Sequence, residues 1–197
     1  MFSPFFMFYS HFFVSIKSME PKYWLVNKQK CMKERRINEL IQEAFTEEMK
    51  MLKELSKEEV YDYMISKLNF CQRKQCFSGK DLDIRIRVGD ICFIDFGQAY
   101  LNEVGYLHFG LVLSILNQKA LIVHMTGNAS TYKKAGKKGK EHTMALPEIK
   151  GLNKFSVLFL NDAKWINTAR ILDTKAHLDP NNELFEKIRC SVKNLIE

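Results

Sequence analysis

The sequence predicts an α+β fold: a small antiparallel β-barrel with a C-terminal helix, preceded by a helical hairpin. Three observations carry that expectation. Between Gly89 and Thr126 the chain reads as strand, glycine-punctuated loop, strand, two-residue turn and strand. Ahead of it, apolar residues in the 32–70 region recur at three- and four-residue steps, the period of amphipathic helices. Behind it, short strands follow at a spacing suited to a barrel or a strongly curved sheet, and one more helical pattern ends the chain.

A chain of 197 residues is long enough for one substantial core plus an appendage, and too short for a multidomain enzyme. Its net charge of +7 favours an anionic partner, because clustered Lys and Arg neutralise phosphates and release their counterions, although many basic proteins bind no nucleic acid. The five cysteines are odd in number and irregularly spaced, which argues against a secreted disulfide framework and for a reducing, cytoplasmic setting. Cys71 and Cys76 form a single pair that no second pair or nearby His completes, so no metal site is expected. Cys92, alternating with Phe93 in an apolar run, reads as a small core residue.

The first sixteen residues hold six of the fifteen Phe and no charge. They lack the basic region and cleavage site of a secretory signal and the length of a spanning helix, so no membrane partner is expected of the chain as a whole. Three readings of this atypical segment, residues 1–31, stay open: an upstream extension with the functional start at Met19 or Met32, a packing element, or a weak membrane anchor. From Met32 the helical pattern begins, with Ile37, Leu40, Ile41, Ala44, Phe45, Met49 and Leu52 on one face. Ser56 and Glu59 make a capping box for a second helix, whose stripe is Val60, Met64, Ile65 and Leu68. The charged residues between them read as a solvated face or as a partner-binding surface. The polar segment around Gly79 places a domain boundary near residue 80, giving a hairpin over 32–80 and a barrel domain over 81–197.

Within the barrel domain, further strands are expected at Thr143–Leu146 and Ser156–Leu160, with a shorter extended piece at Ile166–Ile171. The last helix has Asp179 as its cap, Pro180 in its first turn, and Phe185, Ile188, Val192 and Leu195 as its buried stripe.

The chain contains no P-loop, G-x-G-x-x-G, G-x-S-x-G or H-E-x-x-H, so nucleotide, serine-hydrolase and zinc-protease chemistry have no support. What remains is a set of polar residues where loops meet the sheet: Asp95, Asn102, Glu103, His108, His124 and Thr126. In a regular strand His124 and Thr126 point to the same face. Each has a plain structural alternative: His108 capping a strand, His124 held in the core, Thr126 as an ordinary β-branched residue, Asp95 and Glu103 fixing a loop. Lys133, Lys134, Lys137, Lys138 and Lys140 crowd a glycine-containing loop against one acid, Glu141, which suits either a phosphate backbone or a solubilising surface. Tyr100, Tyr106 and Tyr132 are stacking platforms or packing residues, and Arg87 and Arg170 meet phosphate or solvent.

The run RVGDICFIDFGQAYLNEVGYLHFGLVLS resembles the first two strands and intervening loop of the MazF/PemK toxins, with Gly89, Asp90, Asp95, Glu103 and Gly105 on the pattern. The later IVHMTGN is similar to the family strand that ends in a catalytic Thr, here Thr126, and SVLFLNDAKWINTARI resembles a third family segment that precedes a helix. Together these cover roughly residues 85–196. The resemblance implies a small SH3-like barrel acting as a sequence-selective, metal-independent endoribonuclease of a toxin–antitoxin system, without a cofactor. It also implies a homodimer with single-stranded RNA crossing a shared groove, and a cognate antitoxin protein that fills it. Two departures stand out: His108-Phe109 replaces the family's Arg-Pro, and Asp162 to Asn167, with Lys164, replaces its Gln-h-Arg-Thr.

The reaction so implied is attack of a ribose 2′-hydroxyl on its own phosphodiester. It needs a base, an acid and positive charge at the phosphate. His108 and His124 are the acid/base candidates, His108 doubling as a cation in place of Arg, with Thr126 bonding a phosphate oxygen. Arg87, Asn102, Glu103 and the five lysines are the candidate RNA contacts. The alternative is a barrel that has lost cleavage and acts as a nucleic-acid- or protein-binding module. A structural phage-encoded or regulatory role is a weaker third option.

Overall fold

The structure, a computed structural model, describes residues 35–195; the expectations for residues 1–31 lie outside the described residues. Two compact units divide the chain, 1–55 and 56–197. In the first unit, helix α1 (Arg35–Glu54) forms where the helical period begins. Its expected apolar face is not buried: Leu40, Phe45 and Met49 are all exposed.

The second unit opens on α2 (Lys57–Arg73), started by the expected capping box, in which Ser56 and Glu59 satisfy each other's backbone N–H groups. One correction follows from the way this helix packs. The second compact unit begins at Ser56, and α2 is tied into its sheet by side-chain hydrogen bonds. Arg73 donates to the carbonyls of Ala169 and Ile171, and Ser66 and Asn69 donate to Asp95. The buried face of α2 is accordingly Tyr63 and Ser66, whereas Met64 and Leu68 of the expected stripe are exposed. Specific polar partners on the sheet, not apolar periodicity, set the rotation of this helix.

The sheet comprises β1 (Asp90–Asp95), β2 (Leu107–Leu116), β3 (Lys119–Thr126), β4 (Thr143–Ala145), β5 (Val157–Phe159), β6 (Lys164–Asn167) and β7 (Ile171–His177). All its pairings are antiparallel, in the order β4-β5-β3-β2-β1-β7. β3 pairs β6 along its first half and β5 at its end, which splits its outer edge between two short strands. Asn117 and Gln118, both at positive φ, make the two-residue turn between β2 and β3. The fold is thus α+β, as expected, with the small barrel realised as one seven-stranded antiparallel sheet.

The piece expected at 166–171 is in fact two strands, β6 and β7, broken by a 3-10 turn at Thr168–Arg170. Asp173, Thr174 and Lys175 give β7 a polar edge that hides its alternation. Helix α4 (Glu183–Lys193) is capped by Asn182 and not by Asp179, which instead accepts from Asn181 in the preceding turn. Its buried residues are Phe185, Ile188 and Val192.

Both faces of the central strands are covered. On one face Ile91, Leu111, Val123 and Met125 pack with α4; on the other Cys92, Ile94, Val112 and Ile122 pack with Ile166 and Ile171. Burial raises the Cys92 thiol to about 12, so it is an inert core group. Gly89, at φ +90, admits the chain beside Leu178, whose carbonyl oxygen would lie 2.1 Å from any Cβ there.

Candidate functional site

The strand register decides which candidate residues meet. Ile94 pairs His108, Gly110 pairs His124 and Phe109 pairs Met125. One further step of the same register sets His108 opposite Thr126, so both side chains share a face with His124. Gly110 keeps the sheet close at this place, since a Cβ on it would lie 2.4 Å from Ile122. The His108 and His124 rings meet edge to face with centroids 4.9 Å apart. His124 then stacks on Phe159 at 5.0 Å, and Phe159 lies 6.5 Å from His142, so four rings run in a column.

The two histidines differ in kind. His124 is only 7% exposed, and neither ring nitrogen has a hydrogen-bond partner. Desolvation, helped by His108 and Lys164, brings its pKa down to about 3. The lowered pKa favours the neutral ring near pH 7 and fits the structural alternative for this residue. The nearest carboxylate oxygen, on Asp162, lies 3.9 Å from Nδ1, too far for a hydrogen bond. His108 keeps an exposed edge. Desolvation of its packed part lowers its pKa, while Asp62 of α2 pulls the other way. A lowered pKa favours the neutral imidazole, a proton acceptor, over the cationic substitute for Arg that the sequence suggested.

Positive charge enters from elsewhere. Lys164, reached from β6, stands 5.5 Å over the Phe96 ring, donates to the Val104 carbonyl and acts electrostatically on His124. Lys164 was visible in the sequence only as a departure from the family segment; strand pairing brings it here. Phe96, Phe159 and Asp162 carried no functional signal, since they read as strand packing or loop.

Thr126 is half-buried, and its Oγ1 accepts from the Asn128 backbone N–H at 3.3 Å. Asn128 in turn caps α3 (Ala129–Lys134) through Ser130 and Thr131. The basic segment is therefore not a free loop. Lys133 and Lys134 sit on this helical turn, and Lys137, Lys138 and Lys140 follow on a turn closed by Lys140 N–H to the Lys137 carbonyl. All five lysines are exposed, and a small cavity of about 190 Å³ joins Lys134 and Lys140 to Phe159.

Three candidates separate from this group or change role. Arg87 is not beside His108: its backbone N–H and Nε bind Asp90, at the other end of β1 from Ile94, roughly 13 Å along the strand. Glu103 accepts from the Tyr100 N–H and holds the β1–β2 loop, and its negative charge would repel phosphate. Asn102, at φ +69, is an exposed turn residue of the same loop. Asp95 is buried and accepts from Ser66, Asn69 and the Gly97 N–H, the structural role its position allowed.

No protein-family model and no curated protein matches the chain. Similar solved structures do exist. The crystal structure of MazF (Form-I) from Deinococcus radiodurans is 18% identical, covering 58% of this chain and 98% of that one, with a TM-score of 0.46. MazF also occurs in a second such structure. The second is MazE-MazF (Form-II) from the same organism, 17% identical over 58% of this chain and 97% of that chain, TM-score 0.42. An endoribonuclease in complex with its cognate antitoxin from Mycobacterial species is 13% identical over 57% and 95%, TM-score 0.40. Among the described residues no helix is long and apolar enough to cross a membrane.

Proposed function

We propose that this chain is a metal-independent endoribonuclease that cleaves single-stranded RNA, acting as the toxin of a toxin–antitoxin pair. The observation that carries the reading is the placement of His108 and Thr126 on one face of β2 and β3 with the buried His124, whose ring stacks on Phe159, where Lys134 and Lys140 share a cavity wall. The three sequence segments that resemble the MazF/PemK toxins supply the reaction class.

Neutral His108 accepts the proton of a ribose 2′-hydroxyl. The 2′ oxygen bonds to the adjacent phosphorus, the P–O5′ bond breaks, and the proton returns to the leaving 5′ oxygen, directly or through water. The products are a cyclic phosphate and a 5′-hydroxyl. Thr126 hydroxyl and Lys164 ammonium serve the crowded phosphate, where developing charge is greatest. His124 holds the His108 ring by edge-to-face packing and is a positioning residue. The lysines of α3 and the following turn carry the flanking phosphates. A homodimer, and an antitoxin that occupies the RNA face, belong to the same proposal.

The test is His108→Ala in the full chain, assayed on single-stranded RNA in chelator-containing buffer. Cleavage is expected to fall by about 10²–10⁴-fold while RNA binding and thermal stability persist. Wild-type protein that binds RNA but never cuts it would favour the second reading, a binding module, for which the replacement of the family Arg by His108 speaks.

A further inference from the structure

Between α2 and the sheet lies a cleft of about 340 Å³, within the size range of small-ligand sites. Its lining carries three cations, Arg73, Lys74 and Arg170, against the single carboxylate of Asp95. That carboxylate is already committed to Ser66, Asn69 and Gly97. Among the described residues each guanidinium is anchored through one nitrogen. Nη1 of Arg73 donates to Ala169 and Ile171 carbonyls, and Nη1 of Arg170 donates to the Asp95 carbonyl. Held in this way, a guanidinium loses little rotamer freedom when its remaining N–H groups take up phosphate oxygens.

The other walls are not those of a simple anion hole. Phe70 of α2, 58% exposed, offers aromatic surface, and Gln98 is exposed at the rim with a primary amide. An aromatic face and an amide beside a guanidinium pair suit a base joined to a phosphate. One wall residue, the buried Phe96, also reaches the histidine site. It lies 6.0 Å from the His124 ring, and three residues of β1 and its extension lead from Ile94, the partner of His108, to Gly97 at the cleft wall.

We propose that this cleft is a subsite for one nucleotide of the RNA strand flanking the cleaved bond. The phosphate lies against Arg170 and Arg73, and the base against Phe70 and Gln98. The proposal rests on the endoribonuclease reading. It assigns to α2, which lies outside the segments of family resemblance, a share in choosing the RNA.

The experiment measures binding of uncleavable RNAs, 2′-deoxy at the cleaved step, to the full chain by fluorescence anisotropy. A minimal oligonucleotide is compared with ones extended by one and two nucleotides on either side. Extension on one side is expected to tighten binding about tenfold, with a preference for one base. Gln98→Ala and Arg170→Gln should each remove most of that gain, and Arg170→Gln should also reduce the salt slope by about one. Gln98 is exposed, so its variant stays informative even if Arg170→Gln weakens the fold. Extension gains equal in wild type and Gln98→Ala, with His108→Ala still abolishing cleavage of ordinary RNA, would overturn the subsite and leave the nuclease reading intact. A wild type that binds no RNA of any length would overturn both.

Discussion

The two ends of β1 carry the same residue type and do different work. At the first end Asp90 accepts from the Arg87 backbone and Nε and meets His177 Nδ1 at 2.8 Å, all beside the tight crossing at Gly89. At the other, Asp95 is equally well bonded, but next to it stand a buried histidine with two unpartnered nitrogens, an exposed histidine and an open cationic cleft. A closed network stabilises and does nothing further. Buried polar groups without partners are costly and uncommon, and the His124 nitrogens set this end apart from the closed one.

The sharpest way to break this contrast is Asp95→Ala. It strands the Ser66 hydroxyl, the Asn69 amide and the Gly97 N–H, and should cost about 3 kcal/mol or more of stability and loosen α2. Urea unfolding checks it, and a loss under about 1 kcal/mol would mean that α2 is held by packing alone.

Next in size is the acid response of His124. Its pKa is about 3 in the fold against roughly 6.5 when unfolded, so the unfolded chain binds more protons between those values. The stability due to the neutral ring is fully present above about pH 6.5 and is lost as pH falls toward 3. At pH 5 this loss is about 2 kcal/mol. His124→Leu should therefore unfold at lower pH than wild type while the two respond alike to pH above 7. Parallel acid curves for the two proteins would show that His124 is not the titrating group.

The smallest expected effect belongs to the closed end. Asp90→Asn keeps the shape and weakens three hydrogen bonds, for a loss of about 1 kcal/mol with the proposed RNA cleavage unchanged. A large fall in cleavage without unfolding would erase the distinction between the two ends.

Much of the sheet was legible because its signals are local. The alternation through β1, the Asn117–Gln118 turn and the Ser56–Glu59 box each rest on neighbours in sequence. The same is true of the face shared by His124 and Thr126, since strand period is a local property, whereas His108 joined it only through the observed register. β7 escaped because an edge strand with Asp173 and Lys175 lacks an apolar period, and the rotation of α2 escaped because Ser66, Asn69 and Arg73 look like solvent-facing residues until their partners are known. Arg87 looked like a phosphate ligand because charge type, not position along β1, is what a sequence displays.

By itself the sequence determined the order of strands and helices, the face shared by His124 and Thr126, and a basic segment shortly beyond. These follow from periods of two and 3.6 residues and from caps. Only tertiary structure decided that one histidine is dry and neutral while the other meets solvent, that Lys164 supplies nearby charge, and that α2 walls a cleft with Arg73 and Arg170. Those properties come from desolvation and from contacts between residues up to about a hundred positions apart, and no local pattern encodes either.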